Sequence, residues 1–119
     1  MKFTSVNNRE YEVSELENDF ENAKKFENVL IGNRFLFFKR GFLKYGYVSF
    51  ESLKYAFRRV MVVPIKKKEI QVDYLVIAEK RKELALIQLA GHNVAAQILE
   101  EIKAKAPDAT FTCPERLKN

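Results

Sequence analysis

The chain has no tryptophan, one histidine, one cysteine, three prolines and four glycines among 119 residues. Each scarcity removes a class of protein. A lone cysteine, Cys113, forms no intrachain disulfide, so a small secreted scaffold stapled by bridges is excluded. One histidine and one cysteine leave too few soft ligands for a tetrahedral zinc site, and neither metal nor cofactor is expected. So few glycines and prolines exclude a collagen-like or low-complexity chain. No window approaches the roughly 20 consecutive apolar residues that span a bilayer. The opening "MKFTSVNNREYEVSEL" lacks an apolar core of signal-peptide length. The default expectation is a cytoplasmic protein.

What is present is apolar and aromatic. Hydrophobic residues make up 47% of the chain, with ten phenylalanines and five tyrosines. That supports one real core, in a β-rich or α+β domain, because aromatics pack well on pleated surfaces. No linker or repeat divides the chain, so a single domain, 1–119, is expected.

Charge is unevenly spread. Residues 1–30 carry four basic and seven acidic side chains, residues 31–82 thirteen basic and four acidic, and residues 83–119 four basic and five acidic. The middle of the chain is therefore cationic and its flanks slightly anionic. Lysines on a sheet edge discourage edge-to-edge association, and a basic segment also suits an anionic partner.

Hydrophobic periodicity gives an element order. In "ELENDFENAKKFE", Leu16, Phe20, Ala23 and Phe26 fall at helical spacing, which predicts a helix over about 14–27 with Ser14 as its N-cap. From Val29 the composition turns β-rich, with Gly32-Asn33 as a bulge or tight turn. Gly41 and Gly46 bracket a hairpin that pairs 34–39 with 45–50. In "LKYAFRRVMVV", strand alternation sends Arg58 and Arg59 to opposite faces, both of them mixed. This predicts that at least one arginine is paired with a carboxylate such as Asp73 or Glu51. Pro64 and Lys66–Lys68 mark the strand end. "EIQVDYLVIAE" is expected to turn Ile70, Val72, Tyr74 and Val76 inward and Gln71 and Asp73 outward. It is paired through the charged tip "EKRKE" with "LALIQLA". "NVAAQILEEIKAKAP" is an amphipathic helix whose apolar face holds Val94, Ala95, Ile98, Leu99, Ile102 and Ala106, capped by Asn93 and ended by Pro107.

That order, with "IGNRFLFFKRG", "YVSFESLKYAFRRV" and "HNVAAQILEEIKAKAPDA", resembles the pleckstrin-homology-like (PH-like) superfold, and in particular small bacterial domains of it. The resemblance covers about 28–110. It leaves a helical extension at about 14–27 and a short tail at 111–119, where "TFTCPE" departs from the pattern. It implies an α+β domain: a PH-like barrel of antiparallel strands in two near-orthogonal sheets, with an N-terminal helix and a C-terminal capping helix. Relatives of the superfold bind phosphoinositide headgroups through basic residues around the first hairpin. Lys39, Arg40 and Lys44 lie near the matching place but lack the motif's spacing, so that ligand is not expected.

No constellation of reactive side chains emerges. His92 beside Gly91 reads as a turn or capping residue, and Cys113 lies far along in the tail. Glu100 and Glu101 diverge on a helix, Glu10 and Glu12 read as solvated, and "GFLKYG" is no phosphate loop. The expectation is a non-enzymatic domain serving protein interaction or self-association. Anion or nucleic-acid binding through the basic middle is the alternative. The contact residues would be Arg58, Arg59, Lys66, Lys67 and Lys68, with Lys80, Arg81 and Lys82 adding charge and Tyr45, Tyr47 and Tyr55 as stacking surfaces.

Overall fold

The run Phe35-Leu36-Phe37-Phe38 shows no polar alternation, and its surroundings explain why. Phe35 and Phe37 pack on one face with Leu16, Leu30 and Tyr47, while Leu36 and Phe38 pack on the other with Val29, Ile31, Val48 and Leu75. All four side chains are buried. A strand covered on both faces reads as a continuous apolar run.

The computed structural model describes residues 1–117. The strands are β1 (Lys2–Ser5), β2 (Lys24–Phe26), β3 (Val29–Ile31), β4 (Phe35–Gly41), β5 (Lys44–Ser49), β6 (Tyr55–Ile65), β7 (Lys68–Glu79) and β8 (Lys82–Gln88). The helices are α1 (Val13–Glu21) and α2 (His92–Lys105), with single 3-10 turns at Phe50–Ser52 and Glu115–Leu117. The architecture is α+β with two sheets. The first is five-stranded in the order β1-β5-β4-β3-β2, and the second is three-stranded, β6-β7-β8. β1 runs parallel to β5, so the first sheet is mixed.

Three expectations need correction. The sheets do not close into a barrel, since among the described residues no strand of one sheet pairs with a strand of the other. The helix expected over 14–27 ends at Glu21, and the chain then forms β2. Lys24 and Lys25 at exposed edge positions, with Phe26 turned toward the core, suit an edge strand as well as a helix stripe. Ser14 is inside α1, whose N-cap is Glu12, and α2 is preceded by Gly91, without an Asn93 side-chain cap. The last two residues of the expected tail, Lys118 and Asn119, lie outside the described residues.

The main core lies between the two sheets and α2. Ala95, Ile98, Ile102 and Ala106, one helical stripe, pack against Leu75, Ile77, Ile87 and the inner face of the first sheet. The outer face of the first sheet carries an aromatic layer under α1. Phe20 meets Phe3, Phe37 and Tyr45 at ring-centroid distances of 5.5, 5.2 and 4.7 Å. The Tyr47 phenol within this layer is pushed above the ordinary tyrosine value, chiefly because burial disfavours its anion.

α1 is fixed to the sheet by one buried carboxylate. Asp19 accepts the backbone N–H groups of Asn33 (2.8 Å), Arg34 (3.2 Å) and Phe35 (2.9 Å). The turn that presents them closes with the Gly32 N–H donating to the Phe35 carbonyl. A Cβ on Gly32 would stand 2.0 Å from Asp19 Oδ2, so the glycine is required by close approach.

The β6–β7 turn is the least relaxed part of the backbone. Its two central residues, Lys66 and Lys67, both have positive φ, 46° and 69°. A two-residue hairpin with both φ positive favours Asn-Gly, and an L-residue in the left-handed region costs roughly 1–2 kcal/mol.

Two outcomes follow for urea denaturation. Asp19→Ala strands three backbone donors and should lower stability by about 2–4 kcal/mol, with Gly32→Ala falling in the same direction by displacing the same carboxylate. Lys66→Asn with Lys67→Gly should raise it by about 1–2 kcal/mol by relieving the turn. Unchanged midpoints would refute either account.

Candidate interaction surface

The sequence singled out five basic residues on β6 and the turn after it, and the structure separates them. Arg58 and Arg59 do project to opposite faces, and each meets a carboxylate. Arg58 Nε donates to Asp73 Oδ1 at 2.5 Å, with the Asp73 side chain 10% exposed and Arg58 32% exposed. Arg59 Nη2 donates to Glu83 on β8, and that hydrogen bond raises its already high pKa further. The Arg59 guanidinium also lies over the Phe57 ring, 5.9 Å from its centroid. Both arginines are thus held by the fold.

Asp73 corrects the expected facing of β7. Register places it opposite Val60, on the face shared with Leu75 and Ile77, and it is buried. Val76 and Ala78 point to a smaller cluster on the other face with Phe57, backed by Tyr55, Cys113 and Leu117. Ile70, expected inside, is exposed. β7 is covered on both faces from Leu75 to Ala78 and exposed on both from Lys68 to Gln71, so a single alternation does not describe the strand.

Lys66, Lys67 and Lys68 are exposed at the turn, with no ion pair or hydrogen bond to another described side chain. Lys80 and Arg81 form the turn at the opposite end of β7, and Lys82 opens β8. Twelve strand residues at ~3.3 Å each put the two basic turns about 35–40 Å apart. Lys39, Arg40 and Lys44 belong to the other sheet, at the β4–β5 hairpin. Tyr47 is buried, Tyr45 stacks on Phe20, and Tyr55 backs the Phe57 cluster, so none stands free as a stacking platform.

The feature the sequence left undrawn is the reach of the β6–β7 hairpin. β6 pairs with β7 from Tyr55↔Ala78 to Ile65↔Lys68, whereas β8 pairs with β7 only from Tyr74 onward. The Leu89 N–H still donates to the Asp73 carbonyl, and beyond the Val60–Asp73 pair the hairpin is a two-stranded arm with no third strand among the described residues. Along it Val60, Met61, Val62, Ile65 and Ile70 are 42–56% exposed and lie on both faces. The signal was present in the sequence as a strand with apolar residues on both faces. What was missing was where β8 stops.

Among the described residues no group of three or more His, Cys, Asp or Glu side chains gathers as a metal site would need. Glu101 is bound by Lys24 at 2.6 Å, and Glu100 lies toward Lys103. His92 is exposed at the first turn of α2. Cys113 Sγ lies 3.5 Å from the Pro114 carbonyl oxygen. No helix among the described residues is long and apolar enough to cross a membrane.

The Arg58–Asp73 pair can be measured directly. Asp73→Ala leaves the guanidinium without its partner and should cost about 1–3 kcal/mol, less than a fully buried pair because Arg58 reaches solvent. Asp73→Leu with Arg58→Met should recover most of that loss in urea denaturation. A double variant no more stable than Asp73→Ala would show that the pair is not the source.

No curated protein and no solved structure matches the chain. The family described as Domain of unknown function (DUF6709) matches across residues 1–119, and the chain belongs to that family.

Proposed function

We propose that the chain is a non-enzymatic, PH-like interaction domain that associates with protein, including copies of itself, through the β6–β7 arm. The PH-like part of this reading is supported by connectivity. Apart from β1 and α1, the chain runs as a four-stranded meander β2-β3-β4-β5, a three-stranded meander β6-β7-β8 and a terminal helix.

One observation carries the interaction part: the arm exposes apolar side chains on both faces beyond the third strand of its sheet. A two-stranded hairpin by itself is marginally stable in water. Between Phe57 and Val63 the outer edge of β6 also has no strand partner among the described residues, a template for further strand pairing. Near Tyr55 the edge is closed by Thr110, whose backbone pairs with Lys54 and Ala56, so the open stretch coincides with the arm.

The basic segment supports the anion or nucleic-acid alternative less well. Its arginines are bound to carboxylates, and its remaining cations sit at separate turns rather than on one concave surface.

Sedimentation velocity across the micromolar range tests the proposal. The intact chain should show concentration-dependent association. A variant in which Val62–Gln71 is replaced by a tight Asn-Gly turn should keep its fold and stay monomeric. If the shortened chain associates as well as the intact one, the arm is not the contact element. Binding to an unrelated single-stranded oligonucleotide that weakens steeply with salt would favour the alternative.

A further inference from the structure

Two separate segments of the chain carry opposite charge in unbroken blocks. Residues 54–68 contain six basic and no acidic side chains, and residues 10–21 contain six acidic and no basic ones. Neither block neutralises the other within one chain. Arg58 and Arg59 pair with Asp73 and Glu83, while Glu15 pairs with Arg34 and Asp19 is consumed by the β3–β4 turn. Lys54, just before β6, also has no ion pair among the described residues. Seven further side chains are left over, Lys66, Lys67 and Lys68 at the arm's turn, and Glu10, Glu12, Glu17 and Glu21 along α1 and the residues before it. All seven are exposed, and none is ion-paired among the described residues.

Apolar surface accompanies each block. Ile65, next to the arm's lysines, is 48% exposed, and Val13, between the glutamates, is 58% exposed. Val13 also borders a cleft of about 670 Å³ between β1 and the start of α1, lined by Phe3, Glu10, Tyr11 and Tyr47 together with Met1 and Lys2. Lys66 and Lys67 occupy left-handed positions where Asn-Gly would be more stable, so turn formation does not account for them.

We infer that the arm of one copy docks on the α1 face of a second copy, Lys66, Lys67 and Lys68 against Glu10, Glu12, Glu17 and Glu21, with Ile65 beside Val13. This rests on the arm being the contact element and adds what it contacts. The occupant is a second copy because the chain itself supplies the matching charge and apolar side chain. Exposed charge pairs of this kind set register and encounter rate more than affinity, so the contact is weak and salt-sensitive.

The test uses two neutralised full-length chains. The arm variant carries Lys66→Asn, Lys67→Gly and Lys68→Gln, a turn expected to fold at least as well as the native one. The helix variant carries Glu12→Gln, Glu17→Gln and Glu21→Gln. At low salt each variant alone should associate on the order of tenfold more weakly than the native chain, since three exposed pairs are lost together. An equimolar mixture, with one component fluorescently labelled, retains one intact arm and one intact α1 face, and should form a 1:1 complex at native affinity. A mixture no tighter than either variant alone overturns the inference. So does a helix variant that self-associates like the native chain while the arm variant does not; that result leaves the arm as contact element and places two arms against each other. A native chain monomeric to hundreds of micromolar overturns it as well.

Discussion

The position of α1 depends on a single carboxylate. Asp19 is buried and accepts three consecutive backbone N–H groups from the β3–β4 turn, donors that would otherwise be left without partners at the start of β4. The same contact fixes Gly32, since no larger residue leaves room for the carboxylate. With α1 in place, Leu16 and Phe20 cover Phe35, Phe37 and Tyr47, and the outer face of the first sheet becomes interior. Without it, β4 would present two phenylalanines to water.

This arrangement divides the molecule into a well-covered half and an uncovered one. The first sheet is enclosed by α1 on one face and by the main core on the other. The second sheet is enclosed only as far as β8, α2 and the tail reach. Arg58 and Arg59 mark that boundary. Each ties β6 to a carboxylate, Arg58 to Asp73 on β7 and Arg59 to Glu83 on β8, and Arg59 itself stands opposite Tyr74, the last β7 residue paired with β8. Beyond it the hairpin continues for several residue pairs with apolar side chains in solvent and a strained turn at its end. Burial and ion pairing place the change in character at the same level of β6, and the strained turn lies at the far end of the uncovered part.

How much of this was legible in the sequence depended on whether the pattern was local. The β4–β5 hairpin, the β7–β8 hairpin and the apolar stripe of α2 were readable because turn chemistry and periodicity both act over a few residues. β1 was not readable: four residues paired parallel to a strand some forty positions later leave no local trace. β2 was misread as the end of a helix because Ala23 and Phe26 continue the stripe of α1, and only the edge of the first sheet decides between the two. Asp73 was sent outward because its neighbours alternate. Its burial is a consequence of Arg58 reaching it from the adjacent strand, a pairing that sequence distance does not display. At the candidate surface the residue types were legible, including the divergence of the two arginines. The convergence of the basic residues was not, because it depends on which turns lie at which end of β7.

The separation of charge along the chain then has a structural meaning that net charge conceals. A formal charge of +5 suggests a diffuse attraction to anions. The fold instead pairs Arg58 and Arg59 with carboxylates, and leaves Lys66–Lys68 at one turn, other cations at the β4–β5 and β7–β8 turns, and a row of glutamates along α1. A solvated sheet face needs charge of either sign, and mixed signs serve solubility better than blocks. In the proposed docking, blocks of one sign on separate elements would create a directional field, favouring one orientation of approach between copies and penalising the arm-to-arm encounter, where like charges would meet. The exposed apolar arm alone would invite edge-to-edge pairing of any two β6 strands. The lysines at its turn, with Pro64 at the end of its edge, discourage that encounter and leave the acidic face of α1 as the surface the arm is suited to meet.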